Sequence, residues 1–176
     1  MPVAAPDLKS LVRNIPDFPK PGILFRDITT LLSDAGAFRA AIDALAQKFT
    51  GRGVTKVIGV ESRGFLTAAP LAYLLKAGFV PVRKKGKLPF KTNAVTYDLE
   101  YGSDTLEIHQ DAVVKGEKVI VVDDLLATGG TAKATCALMS SSGADIIGLG
   151  FLIELAGLNG RAKLQGFDIF SLITYP

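Results

Sequence analysis

Residues 119–131 read VIVVDDLLATGGT. Four β-branched apolar residues run into two adjacent acids, and a glycine-rich turn leads into a helix-like segment. An unbroken apolar run of this kind marks a strand buried on both faces, the usual condition in a parallel sheet. The helix expected next covers 131–141 and is closed by Gly143. The same alternation extends outward on both sides. Strands are expected at 56–60, 79–82, 118–122, 146–153 and 167–173. Helices are expected at 37–49, with Phe38, Ile42, Leu45 and Phe49 on one face, and at 64–76, with a short helix or turn at 158–164. Strands alternating with helices imply right-handed crossovers and an α/β fold, with about five mainly parallel strands flanked by helices. In such sheets ligands meet the carboxyl ends of the strands. That places Asp123 and Asp124 at a binding edge, together with the ESRG stretch at 61–64 that follows the first of these strands.

Two regions depart from the alternation. The start of the chain carries Pro16, Pro19 and Pro21 in close succession, which predicts an irregular arm preceded by a short helix at 7–13. Residues 84–108 are polar with scattered β-formers and read as a long loop or hairpin. The chain of 176 residues suits one domain, 48% hydrophobic and 21% charged, with a net charge of +3 that is too small to argue for nucleic acid. One cysteine, Cys136, leaves no internal disulfide framework and fits a reducing cytoplasm. No run of about 20 apolar residues suggests a membrane span, and MPVAAPDLK at the start lacks a signal pattern. The expectation is a cytoplasmic protein without membrane or nucleic-acid partners.

The turn ATGGT at 127–131 can fold its amides inward ahead of a helix N-terminus, with hydroxyls from Thr128 and Thr131. Those features suit one phosphate monoester. They equally suit an ordinary strand–turn–helix connection with Thr131 as the N-cap. Asp123 and Asp124 would repel a phosphate unless a diol or a divalent cation occupied them. A ribose 5-phosphate unit answers both demands, with phosphate in the turn and the 2- and 3-hydroxyls on the acids. Neither GxxxxGK[ST] nor GxGxxG occurs, which argues against P-loop and dinucleotide-binding chemistry. No cysteine or histidine cluster offers a zinc site.

Residues 119–131 closely resemble the phosphoribosyl pyrophosphate motif of the type I phosphoribosyltransferase family. FPKPGILFRDITTLL at 18–32, ESRGF at 61–65, RKKGKLP at 83–89 and LEYG at 99–102 extend the resemblance, in order and spacing, to the adenine-using members of that family. The resemblance implies a single phosphoribosyltransferase domain over 1–176, with an N-terminal hood at 1–35 and a flexible catalytic lid loop at 84–108. It implies transfer of ribose 5-phosphate from phosphoribosyl pyrophosphate to N9 of adenine, giving AMP and pyrophosphate. Magnesium is the implied cofactor, held mainly by substrate oxygens rather than by a protein cluster. A homodimer is the implied assembly.

The family pattern also assigns roles. Asp123, Asp124, Ala127, Thr128, Gly129, Gly130 and Thr131 would bind the phosphoribosyl group. Ser62, Arg63, Arg83, Lys84 and Lys87 would bind pyrophosphate, with Arg63 also counted as catalytic. Glu100 would be the general acid/base that handles the purine proton, Glu107 being a rival nearby, and Tyr101 would position the substrate. Leu24, Phe25, Arg26 and Leu155 would meet adenine, with backbone groups near Leu24 and Arg26 selecting the 6-amino group. Glu61 stands where some relatives carry Asp. Three other readings fit fewer of these features: a transferase for hypoxanthine, guanine or xanthine, a non-catalytic sensor of the sugar donor, and a binder of another sugar phosphate.

Overall fold

The computed structural model describes residues 6–98 and 102–176, apart from the Asp98 side chain. The expected residues Glu100 and Tyr101 therefore lie outside the described residues. Two compact units are present, Met1–Ala44 and Leu45–Pro176.

In the first unit, β1 (Arg13–Ile15) and β2 (Phe25–Asp27) form an antiparallel pair in which Asn14 lies opposite Arg26. Residues 7–12 form turns with bonds three residues apart, Ser10 N–H to Asp7 O and Val12 N–H to Lys9 O, in place of the helix expected at 7–13. The chain must straighten at Arg13 to enter β1, which leaves no room for further helical turns. Between the strands Phe18 packs edge-on to Phe25 at 5.1 Å, and the Asp17 carboxylate accepts the Gly22 N–H at 2.7 Å. The proline-rich arm is thus a stapled hairpin. A short helix α1 (Thr29–Ser33) follows, and α2 (Ala35–Phe49) carries the chain into the second unit.

The second unit is built on β3 (Lys56–Val60), β4 (Gly78–Lys84), β5 (Thr92–Asp98), β6 (Ser103–His109), β7 (Lys118–Leu126), β8 (Asp145–Leu155) and β9 (Ile169–Tyr175), with α3 (Gly64–Leu75) and α4 (Gly130–Ser141). The sheet order is β5-β6-β4-β3-β7-β8-β9. The five strands expected from the apolar runs are all present, and they form the parallel part, β4-β3-β7-β8-β9. Residues 92–109 add two antiparallel strands at one edge, β6 pairing with β4 and β5 with β6. The region read as a loop or hairpin is therefore a hairpin that widens the sheet.

Strand β7 lies at the centre of the parallel part and supplies side chains alternately to two cores. Val119 and Val121 join α4 through Cys136, Leu138 and Met139. Ile120 and Val122 join α3 through Ala68, Leu71 and Ala72, with Leu45 and Phe49 from the end of α2. Full burial of both faces explains why this strand is written as the unbroken apolar run at 119–122.

Its two ladders have unequal lengths. Pairing with β3 stops at Val122, opposite Gly59, whereas pairing with β8 continues through Asp123 to Leu126, opposite Glu154. The strand thus runs four residues beyond the expected end at 122. Beyond Val122 the β3 side of β7 is open, and the two acids stand at that opening. Among the described residues no helix is long and apolar enough to cross a membrane.

Candidate active site

The turn after β7 is shaped by glycine. Gly129 has φ 77°, a left-handed conformation that side chains disfavour, and it is the N-cap of α4. No side chain caps that helix. Thr131, the alternative N-cap read from the sequence, lies inside the first turn, and its Oγ1 instead lies 3.2 Å from the Tyr97 hydroxyl. The amides at the start of α4 thus border a hollow of about 70 Å³ lined by Asp123, Ala127, Thr128, Gly129, Gly130 and Thr131, among others. Uncapped amides at the positive end of a helix dipole favour an anion.

This hollow opens beside a larger cavity of about 630 Å³. Asp123, Ala127 and Thr131 line both. The larger cavity continues along Asp124 to Ser62 and Arg63, and then to Lys84 and Lys87. Its walls therefore run from the uncapped start of α4, past two acids, to a row of cations.

The opening beside β7 is filled by the turn that joins β3 to α3. The peptide bond between Glu61 and Ser62 is cis. Arg63 meets Asp124 with Nε 2.7 Å from Oδ2. Gly64 brings the helix backbone so close to β7 that a Cβ there would lie 2.8 Å from Asp123 Oδ1 and 3.1 Å from Asp123 Cα. Asp123 Oδ1 accepts the Asp124 N–H at 2.8 Å. Burial, and then the adjacent Asp124 carboxylate, push Asp123 well above the ordinary carboxylate range; the Asp124 N–H and Arg63 oppose this without cancelling it. Asp123 therefore resists ionisation and is suited to hydrogen-bonding a neutral hydroxyl.

Glu61 organises the cationic end. It accepts Lys87 Nζ at 2.5 Å, the Lys84 backbone N–H at 2.9 Å and Arg83 Nε at 3.2 Å. Burial works against its charge, but these partners outweigh burial and hold its pKa down at about 2. Lys84 extends its ammonium to Asp104 at 3.1 Å, which raises its pKa. Asp104 lies opposite Tyr97 in the β5–β6 hairpin, so the cross-strand pair reaches Lys84 at one side of the cavity and Thr131 at the other.

The structure thus brings Asp123, Asp124, Ala127, Thr131, Ser62, Arg63, Lys84 and Lys87 to one cavity, with Thr128, Gly129 and Gly130 in the adjoining hollow. Arg83 does not line the cavity; it stands behind Glu61 and also donates to the Lys87 carbonyl at 3.3 Å. Leu155 ends β8 opposite Tyr175 and lines neither space. Leu24 is exposed, and Arg26 donates to Asn14 within the first unit. Glu107, the rival acid, is buried and accepts the Gly86 N–H at 3.0 Å. The sequence places Glu61 in the ESRG stretch at the binding edge without a partner for its side chain, and it does not point to Tyr97 or Asp104. Their partners lie 20 or more residues away, beyond the reach of any local motif. Among the described residues no group of three or more potential ligands could hold a metal ion.

Comparison with known proteins agrees with this geometry. Residues 28–169 match the phosphoribosyl transferase domain. An adenine phosphoribosyltransferase of Solibacter usitatus is 57% identical over 97% of this chain and 98% of its own. The crystal structure of adenine phosphoribosyltransferase from Thermoanaerobacter pseudethanolicus superposes with a TM-score of 0.93 at 54% identity, covering 96% of this chain and 98% of that one. The Saccharomyces cerevisiae enzyme, solved with an imino-altritol bisphosphate and adenine, gives a TM-score of 0.89 at 42% identity over 94% of this chain and 96% of that one. The chain therefore belongs to the phosphoribosyl transferase domain family and, within it, to the adenine phosphoribosyltransferases.

Proposed function

We propose that this protein transfers the 5-phosphoribosyl group from phosphoribosyl pyrophosphate to N9 of adenine, forming AMP and pyrophosphate in purine salvage. The observation that carries this reading is the order of groups along the hollow and the adjoining cavity: uncapped helix amides, then Asp123 and Asp124, then Arg63, Lys84 and Lys87. Phosphate, ribose diol and pyrophosphate occur in that order in the donor. The adenine bound in the yeast relative supports the acceptor.

In this reaction the N9–C1 bond forms as the bond from C1 to the pyrophosphate oxygen breaks, and the N9 proton must leave. Negative charge grows on the departing pyrophosphate, where fixed cations stabilise the transition state more than the ground state. Arg63 suits that task because its planar fork can leave Asp124 for phosphate oxygens. Lys84 and Lys87 would likewise exchange Asp104 and Glu61 for the anion. Asp123 and Asp124 would take the ribose hydroxyls. Glu100 is assigned the purine proton and Tyr101 substrate positioning, by family resemblance. Backbone groups at Leu24 and Arg26 are assigned the recognition of adenine on the same ground.

Magnesium fits this donor set as a substrate-bound ion. A hard cation prefers oxygen donors, which pyrophosphate and the ribose hydroxyls supply, with Asp123 and Asp124 as protein oxygens beside them. When bound it would neutralise charge on the leaving group. Helix α3 exposes Leu66, Tyr73 and Leu74, an apolar face suited to a second copy of the chain, and a homodimer is proposed on it. The cytoplasm is the proposed location, consistent with the single buried thiol of Cys136.

The test is formation of AMP and pyrophosphate from adenine, phosphoribosyl pyrophosphate and magnesium, with hypoxanthine, guanine and xanthine as competitors. Donor binding without pyrophosphate release on any base would overturn the assignment in favour of a sensor. Light scattering after gel filtration tests the dimer, and a mass equal to one chain would remove it.

A further inference from the structure

The back of the phosphate hollow is formed by a distant stretch of chain. After β8, two short 3-10 turns cover Ala156–Leu158 and Gly160–Leu164. Gly160 lies backbone to backbone against the cup. A Cβ on Gly160 would fall 2.2 Å from the Ala127 carbonyl oxygen and 3.1 Å from the Gly129 nitrogen; one on Gly129 would fall 2.5 Å from the Gly160 oxygen. No side chain fits between the two segments.

The next residue is tied down from the other side. Arg161 donates Nε to Glu154 Oε1 and a terminal nitrogen to Glu154 Oε2, both at 2.7 Å. Further contacts reach the Ile169 carbonyl at 3.3 Å and Ser171 Oγ at 3.4 Å, both on β9. Glu154 is buried on β8, opposite Leu126, which ends β7 just before the cup. The fork therefore joins β8 and β9 to the segment that supports the turn. A two-bond guanidinium–carboxylate fork fixes orientation as well as distance, which a lysine ammonium cannot do. The cup itself is a short turn with a left-handed glycine and no side-chain cap, so little within it sets the direction of its amides.

We propose that Arg161 is a positioning residue for the phosphate cup: clamped on Glu154, it seats Gly160 against Ala127 and Gly129 and so fixes the groups that receive the 5-phosphate. The assignment rests on the function proposed above and adds residues that the substrate does not touch. Arg161→Lys, Glu154→Gln and Gly160→Ala all loosen or displace this backing. Pyrophosphate, by contrast, would meet Arg63, Lys84 and Lys87 at the other end of the cavity, so its binding serves as an internal control.

The experiment titrates AMP and, separately, pyrophosphate with magnesium into the wild-type protein and the three variants by calorimetry, with a thermal unfolding curve for each. Loss of alignment at the cup is expected to weaken AMP by about tenfold or more, and to leave pyrophosphate within about twofold of wild type. In steady state the KM for the sugar donor rises while kcat changes by less than about threefold. An equal fall for both ligands, AMP binding as in wild type by a folded variant, or failure of all three variants to fold overturns the proposal. Wild-type protein that does not bind AMP refutes the function itself and this assignment with it. Wild-type turnover combined with unaltered variants refutes only the role of Arg161.

Discussion

Replacing Glu61 with glutamine tests whether one carboxylate holds the cationic end of the site together. Its side chain is 7% exposed and accepts Lys87, the Lys84 amide and Arg83. These partners hold its pKa at about 2 against an ordinary 4.5. At about 1.4 kcal/mol per pH unit this difference corresponds to about 3 kcal/mol of stability at neutral pH. Lys87 is half exposed, so solvent screening reduces the working figure to about 2 kcal/mol. Because the folded-state pKa is lowered, this stability is fully present above 4.5 and disappears as the pH falls towards 2. At pH 3 about two-fifths of it remains, so the wild-type advantage over Glu61→Gln shrinks by about 1 kcal/mol between pH 7 and pH 3. Urea unfolding of both proteins at those two pH values measures it. Every other titrating carboxylate is common to the pair and cancels in the difference. An advantage of the same size at both pH values would refute the reasoning.

Further outcomes follow from other contacts at the site. Gly64→Ala places a methyl group 2.8 Å from Asp123 Oδ1; the overpacking is expected to cost about 1–3 kcal/mol in urea unfolding, and an unchanged midpoint would contradict the packing. Burial and the neighbouring carboxylate raise the Asp123 pKa, so its charge destabilises the fold increasingly as pH rises. Asp123→Asn is therefore expected to melt at a higher temperature than wild type, by a margin that widens with pH, while binding the sugar donor more weakly. Arg63→Lys loses the Nε contact with Asp124 and is expected to lower turnover by about a hundredfold, measured by pyrophosphate release, with unfolding midpoints nearly unchanged. Cys136 is 3% exposed and burial pushes its thiol up to about 12. At pH 8 an alkylating reagent is expected to leave it unmodified in the native protein and to label it fully in urea.

Strands β3 and β7 were the most legible because they are buried on both faces and therefore written as apolar runs, at residues 56–60 and 118–122. The hairpin at 92–109 was less so. Its strand β5, TNAVTYD, lies at the sheet edge, where one-sided burial removes the apolar signal. The turn at 127–131 was legible as a cup, but its alternative reading placed the N-cap at Thr131, whereas Gly129 takes that position without a side-chain bond. Asp123 and Asp124 could be placed at the binding edge from the strand that precedes them, and Arg63 from the ESRG stretch and its resemblance. The sequence did not show Glu61 as the acceptor of Lys87, Tyr97 as the partner of Thr131, or Arg161 behind the cup. Each of those depends on a contact that only the folded topology creates.

The unequal ladders of β7 bear on how the site acquires its shape. Up to Val122 each β7 residue is flanked by strands on both sides, and beyond it β8 alone remains alongside. The turn carrying Arg63 and Gly64 therefore takes the berth that a longer β3 would have filled, and it sets its backbone against the central strand of the parallel part. The acids cannot drift without unzipping that strand from β8. Amide hydrogen exchange should show protection continuing from 119 to 126 with a step at 123, and a ligand that orders the turn should smooth the step.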